Sequence, residues 1–357
     1  MEDSTLIYLI ALTTIYRYRL RILREMLDCY AIDEAWEKTD EIGKKEALET
    51  AKQEIDFIHQ HQISTYYYKD DTYPYRLREC PDAPILLYGK GPLPFNTGKI
   101  ISIVGTRSAT DRSKELTRQL VLDLAQRVPD LCVVSGLAYG IDVASHRAAL
   151  EAGIPTIIIP GHGLDRIYPA LHRDIAVAAL GKGGLLTEYP SGTIPDRQNF
   201  VARDRIIAGL ADAVVIVESK ERGGSLITAH MAQDYNRDLF AFPGRPTDEN
   251  SQGCNALIRE QCAGLIQSAN DIIYTMQWAT EQQPQNTQTE MEDLAENLDE
   301  TEQKLIKILR TEEDGIHINN LTLETGLPYQ QVCSTLMMLE MKGWAKSLPG
   351  GIYRALK

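Results

Sequence analysis

This 357-residue sequence has no Cys-x-x-Cys pair. Its six cysteines, at 29, 80, 132, 254, 262 and 333, are scattered, and none of its seven histidines stands at ligand spacing from a cysteine pair. The thiols therefore read as reduced, in a cytoplasmic protein, with a zinc site as the disfavoured alternative. The most apolar N-terminal run, Leu6 to Ile15, falls short of the roughly 20 residues a spanning helix needs. It follows two acids, precedes Arg17, Arg19, Arg21 and Arg24, and has no small-residue cleavage pattern, so neither a membrane anchor nor a signal peptide is expected. Excess positive charge is also missing. Fifty acidic against thirty-seven basic residues give a net charge of -13, which argues against coating duplex DNA by bulk charge. Seven of the acids, however, lie between Glu281 and Glu300 with no Lys or Arg among them, so the total says little about any local groove.

What is present is ordinary for a globular chain: 43 % hydrophobic and 24 % charged residues, with length for two or three domains. The first sixty or so residues carry apolar positions mostly three or four apart (Leu6, Leu9, Ile10, Leu20, Leu23, Leu27) and predict helices, with a further helix from Lys44 to about His61. Tyrosines and prolines from Tyr66 to Pro84 mark a packed connecting segment. From residue 99 the pattern changes to short β-branched runs, KIISIVG, CVVSG, PTIIIPG, GGLLTEY, DAVVIVES and LFAFPG, whose starts are 23 to 33 residues apart. That is the length of a strand plus a crossover helix, and nearly continuous apolar strands suit a sheet buried on both faces. A doubly wound α/β domain with a parallel sheet follows. Polar, acidic EQQPQNTQTEMEDLAENLDE reads as a flexible linker, and helices over 301–310, 319–325 and 329–342 followed by a hairpin predict a winged helix. The expected domains are thus 1–65 helical, 66–275 α/β, 276–300 linker and 301–357 winged helix.

In a doubly wound sheet, ligands bind beyond the carboxyl ends of the strands. The turns there read VGTRSATDRS, SGLAYGIDVASH, PGHGLDRIYP, EYPSGTIPDRQNFVARDR and ESKERGGSLITAH. None carries Gly-x-Gly-x-x-Gly, and Arg107 after the single Gly105 would crowd a dinucleotide pyrophosphate while suiting an isolated backbone phosphate. Nicotinamide, flavin, Walker-type and Gly-x-Ser-x-Gly chemistry are excluded, and no cofactor or metal is expected. Fourteen of the eighteen basic residues between 99 and 275 are arginines, which suit planar phosphate contacts.

In order along the chain, IVGTR, SGLAYGIDVASH, TEYPSGT, NFVARDRIIAGLADAVVIVES, GGSLITA and PGRPTDENSQGCNALI resemble the DNA-processing protein A (Smf) family over roughly 180 residues. The resemblance implies a Rossmann-like sheet with an N-terminal helical, SAM-like domain and a C-terminal winged helix. It implies a non-enzymatic single-strand DNA binder that loads the RecA recombinase in natural transformation and works as a homodimer. Carried over by this resemblance, Arg107 would hold a phosphate, and Arg197 and Phe200 match a basic and an aromatic position used on DNA. Arg203 and Arg205 match the paired arginines of the family's Phe-Pro-x-Arg-Asn-Arg motif. Gly136, Gly140, Gly224, Ser225 and Thr228 would shape the pocket floor, and Gly105 is counted with the DNA-binding positions. The residues agree independently, since arginines plus an aromatic track a backbone and stack a base.

Other readings stand beside these. The glycines could simply permit tight turns, Phe200 could be core, and Arg205 could pair with Asp204 or Asp212. His146 could be a catalytic base or structural, and His162 a turn residue. The sequence departs from the family at Val201, at Asp204 between the two arginines, and in IYRYRL, which replaces a Gly-x-Gly hairpin. The third winged-helix segment, YQQVCSTLMMLEMK, has one lysine, so an accessory role is expected there rather than major-groove reading. The runner-up function is a nucleotide-processing enzyme of the phosphoribohydrolase type, against which RGGSLITAH is followed by no catalytic glutamate.

Overall fold

The β-branched runs form six adjacent parallel strands in a computed structural model, which describes residues 2–17, 19–40, 43–96, 98–278, 299–310, 315–342, 344–348 and 350–355. These strands are β3 (Lys99–Val104), β4 (Leu131–Ser135), β5 (Thr156–Ile158), β6 (Gly184–Thr187), β7 (Ala213–Ile216) and β8 (Asp238–Ala241). They lie in the order β6-β5-β4-β3-β7-β8, so the chain winds outward from β3 in both directions. The switch point, where strand order reverses and neighbouring crossovers leave a crevice, falls between β3 and β7. Nearly all strand residues are buried, and the two strand serines satisfy their hydroxyls inside the layer, Ser102 donating to Ile207 O and Ser135 to Ile103 O, both at 2.7 Å.

The sheet is wider than six strands. β1 (Ser64–Tyr67) and β2 (Leu86–Lys90), from the tyrosine- and proline-rich connector, add an antiparallel edge beside β6, and β9 (Gly264–Leu265) extends the other edge from β8. The N-terminal helices α1 (Asp3–Ile15), α2 (Leu20–Cys29), α3 (Ile32–Lys38) and α4 (Lys44–His61) bury Leu9, Leu12 and Leu23 in the same core cluster as Leu87 of β2 and Ile157 of β5. Residues 1–65 and the sheet therefore pack as one unit, Met1–Thr280.

The second unit, Glu281–Lys357, holds helices Glu300–Leu309, Ile318–Thr325 and Tyr329–Met341 and a hairpin, Ala345–Leu348 with Ile352–Ala355, against which Ile316–His317 pairs. Its core is Leu305, Leu309, Leu321, Val332, Leu336 and Leu339. This is the expected winged helix. Residues 279–298 of the expected linker lie outside the described residues. Among the described residues no helix is long and apolar enough to cross a membrane.

Candidate nucleic-acid interface

At the β3/β7 switch point the turns enclose a cleft of about 910 Å3. The turn after β3 supplies Gly105 and Arg107, that after β5 supplies Tyr168, and that after β7 supplies Lys220, Arg222 and Gly224. The far wall is helix α9 (Arg197–Leu210), which begins at Asp196, whose carboxylate accepts from Gln198 N at 2.8 Å as an N-cap. Eight of the expected residues, Gly105, Arg107, Arg197, Phe200, Arg203, Gly224, Ser225 and Thr228, line this one cleft.

The geometry centres on Phe200. Arg107 and Arg203 lie over its ring, with guanidinium carbons 5.4 and 6.0 Å from the centroid, and Tyr168 stacks on it at 5.8 Å and 27°. Phe200 is therefore not core: it is half-buried, flanked by cations and continued by an exposed tyrosine. Tyr139 and Tyr168, both exposed, line a small adjoining cavity with Arg107, Gly136 and Arg203. An aromatic surface between guanidinium groups accommodates a stacked base beside a bound phosphate.

Arg203 is the unusual member. It is only 3 % exposed, yet its Nε and Nη1 have no hydrogen-bond partner among the described residues. Its ion pair with Asp204, at 3.4 Å, is no substitute for those bonds. A buried N–H left unsatisfied costs about 1–3 kcal/mol, a cost that an anion entering the cleft would remove. Gly136 makes the position possible: a Cβ there would stand 1.6 Å from Arg203 Nη1. Gly140, the residue before helix α7 (Ile141–Glu151), does not line the cleft. Its φ is +81° and a Cβ would meet Thr106 O at 2.1 Å, so it lets the second turn close against the first. At Gly224 a Cβ would meet nothing within 4 Å, so the backbone before helix α10 (Ser225–Asp234) is open to the cleft. Ser225 and Thr228 are buried, with the Ser225 hydroxyl donating to Ser219 Oγ at 2.9 Å.

Arg205 has to be corrected. Two residues beyond Arg203 in α9 it points about 200° around the helix, away from the cleft. It is buried against Glu188 at 2.5 Å, with Asp82 at 3.9 Å, and pairs with neither Asp204 nor Asp212. Asp212 is instead taken by Arg76, which binds both its oxygens at 2.6 and 2.9 Å.

Two acids temper the arginines. Burial pushes the Asp204 carboxyl up to about 6 against the pull of Arg203, and Asp142 adds to the rise. Asp142 is itself raised by burial, in spite of Arg203 and Arg107. His146 is fully buried, with Nδ1 2.7 Å from Thr156 Oγ1. Burial drops its pKa to about 3, so it is a neutral structural histidine rather than a base. His162 is also buried, its Nδ1 2.8 Å from Gly163 O. In the winged helix, the exposed face of Tyr329–Met341 shows Tyr329, Gln330, Gln331, Ser334, Met337, Met338 and the acid Glu340, with no base. Its following lysine, Lys342, is held by Glu302 at 2.7 Å.

The sequence reading missed Tyr168, Tyr139, Lys220 and Arg222. Tyr168 and Tyr139 stood in turns already singled out, as aromatics among glycines and prolines, and that was the available signal.

Comparison with known proteins matches residues 64–277 to the DNA recombination-mediator protein A family and residues 289–351 to the DprA winged helix domain. DNA processing protein DprA of Streptococcus pneumoniae is 40 % identical over 204 residues, covering 57 % of this chain and 71 % of that protein. The X-ray structure of that species' DNA processing protein A superposes with a TM-score of 0.64 at 32 % identity, covering 75 % of this chain and 95 % of the other. DNA processing protein A of Helicobacter pylori, solved for its single-stranded DNA binding mode, gives 0.54 at 31 % identity, covering 60 % and 95 %.

Proposed function

The chain belongs to the DNA recombination-mediator protein A family, and on that premise we propose that it binds single-stranded DNA in the β3/β7 cleft and delivers it to a RecA-type recombinase. Arg107, Arg197 and Arg203 hold phosphates, Phe200 with Tyr168 stacks a base, and the open backbone at Gly224 admits a further phosphate. The observation that carries the reading is Arg203: a buried guanidinium, with two nitrogens that have no hydrogen-bond partner among the described residues, lies beneath an aromatic ring and suits an anion attached to something that stacks. Its delivery role in natural transformation, its cytoplasmic location and its work as a homodimer rest on the family resemblance. The protein is a binder, not an enzyme. The helix after Gly224 carries no glutamate, and the neutral His146 is fully buried beside the Thr156 hydroxyl and outside the cleft lining, which disfavours the phosphoribohydrolase alternative.

A gel-shift series with single-stranded and duplex oligonucleotides tests the binding. Retention of single strands at concentrations where duplex is free is the expected outcome, and equal retention would count against the cleft. Stimulation of RecA ATPase on strands precoated with single-strand-binding protein tests delivery, and mass in solution tests dimerisation.

A further inference from the structure

The turn between β4 and α7 offers a second aromatic surface beside the cleft. Of residues 136–140 all but one are buried or half-buried, and the exception is the bulkiest, Tyr139, 45 % exposed. A single exposed tyrosine is ordinary, but this one is displayed on a fixed frame. Leu137 takes φ +69°, a conformation leucine rarely adopts, and its carbonyl accepts from His172 Nδ1 at 2.9 Å. Ala138 donates from its N to the Asp142 carboxylate at 3.3 Å and accepts from Val143 N at 3.2 Å. The Tyr139 ring itself rests edge-on against the buried His172 ring, with centroids 4.9 Å apart at 68°. Residues in costly backbone conformations persist where the surrounding structure over-determines them, and they cluster at ligand sites. A cavity of about 30 Å3 joins this turn to the cleft. Tyr139 lines it together with Arg107, Arg203, Tyr168 and Phe200, so these five side chains surround a space too small for a base. The aromatic rings here form two separate pairs, Tyr168 with Phe200 and Tyr139 with His172.

We propose that Tyr139 is the platform for a second unpaired base, the neighbour of the one stacked on Phe200 and Tyr168, with the phosphate that links them held by Arg107 and Arg203. This rests on the cleft reading and adds one base subsite to it. The shared cavity carries it, since it brings both arginines to Tyr139 as well as to Phe200. A strand repeats base, phosphate, base, and the two ring pairs with the arginines supply a partner for each. Stacking of this kind tolerates any sequence, because every base has a π-face. It also selects single strands, because a base inside a duplex already has both faces covered by its neighbours.

The test is binding of an oligothymidine and of a fully abasic strand of the same length at several salt concentrations, by the full chain and by Tyr139→Ala, Tyr139→Phe, Phe200→Ala and the double alanine variant. Tyr139→Ala should bind the oligothymidine about fivefold or more weakly, the low end of one lost stacking contact, with the salt slope unchanged. Tyr139→Phe, which keeps the ring, should recover most of that loss. The abasic strand has the phosphates without the bases, so Tyr139→Ala should bind it as well as wild type does. In the double variant the two losses should multiply, because each ring serves its own base. Wild-type affinity of Tyr139→Ala for the oligothymidine overturns the second subsite and leaves the cleft standing. Equal weakening on both strands also overturns it, since the change would then act on the phosphate contacts or the fold. A double variant no weaker than Phe200→Ala overturns it as well, for both rings would then serve one base. If the wild type binds neither strand, the cleft reading falls and the subsite with it.

Discussion

Replacing Gly136 by alanine adds one methyl group and no charge, yet it should remove a phosphate contact. The new Cβ would lie 1.6 Å from Arg203 Nη1, 2.2 Å from Cζ and 2.3 Å from Nη2, and no other group is as close. Those distances cannot be held, but the obstructing atoms are the end of a flexible side chain, so the guanidinium rather than the backbone moves. Gly136 is not among the positive-φ glycines, so alanine fits the local backbone and the fold should survive. Displaced from beneath Phe200, Arg203 loses its place at the anion. A hydrogen bond to a charged group contributes about 1.5–3 kcal/mol, which corresponds to roughly 10- to 150-fold in affinity. The salt slope should fall by about 0.7 units, one phosphate on a single strand. Titration of poly-thymidine at four salt concentrations measures both, with the melting temperature as a control for folding. Arg203→Met should have the same effect, and adding Gly136→Ala to it should cost little more, because both changes act on one contact. If folded Gly136→Ala binds with wild-type affinity and slope, or the two losses add, Arg203 does not hold a phosphate and the centre of the site is elsewhere.

Phe200→Ala should cost about 1–3 kcal/mol of affinity with the salt slope nearly unchanged, since stacking releases no counterions; salt titration separates this from the arginine variants. Arg205→Met should leave the affinity and slope of the folded protein alone but lower stability by about 3–5 kcal/mol, because Glu188 is left buried without its partner; denaturant unfolding measures it. Asp204→Asn should tighten binding, most at low salt. For wild type, binding should strengthen as pH falls from 7.5 through about 6, where Asp204 takes up a proton, and this dependence should be weaker in Asp204→Asn. The same shift has a stability sign. Its folded pKa lies above the ordinary aspartate value of 3.8, so the contribution is full below that value and is lost as pH rises through about 6. The asparagine variant should therefore melt higher at pH 7.5. Truncation after Thr280 should leave single-strand affinity equal or slightly improved, since it removes the acidic segment and a winged helix whose exposed third-helix face has no base; a tenfold loss, about 1.4 kcal/mol, would show direct participation.

The six parallel strands were legible because burial on both faces removes polar residues, so each strand stands out as a short β-branched run. β1 and β2 were not. Edge strand β1 is short and leaves Ser64, Thr65 and Tyr66 exposed or only partly covered, and the residues between the two strands carry a helical turn, α5 (Tyr75–Arg78), and three prolines, so no short hairpin signal joins them. The assignment of Arg205 failed for a different reason. NFVARDR was treated as turn, where neighbouring side chains can converge. It is helix, where residues two apart diverge, and RDRIIAGL already carried the apolar spacing that would have shown it. Gly136 and Gly140 occupy one turn and look alike in sequence. Their roles differ because one faces a guanidinium and the other a carbonyl oxygen, which only the packed structure decides.

The position of the cleft was a harder problem than its composition. Periodicity gives the strands in chain order, but not their order in space. A switch point between β3 and β7 exists only because the chain lays β4, β5 and β6 on one side and then returns to place β7 and β8 on the other. That return is what brings Arg107, from the first turn, within reach of Phe200, 93 residues later. The same return places Lys220 and Arg222 opposite both. The basic side chains of the cleft thus come from three separate segments, none of which is conspicuously basic by itself, and Asp142 and Asp204 lie among them. An acidic chain can therefore hold a polyanion, because the charge that matters is assembled by topology rather than by composition.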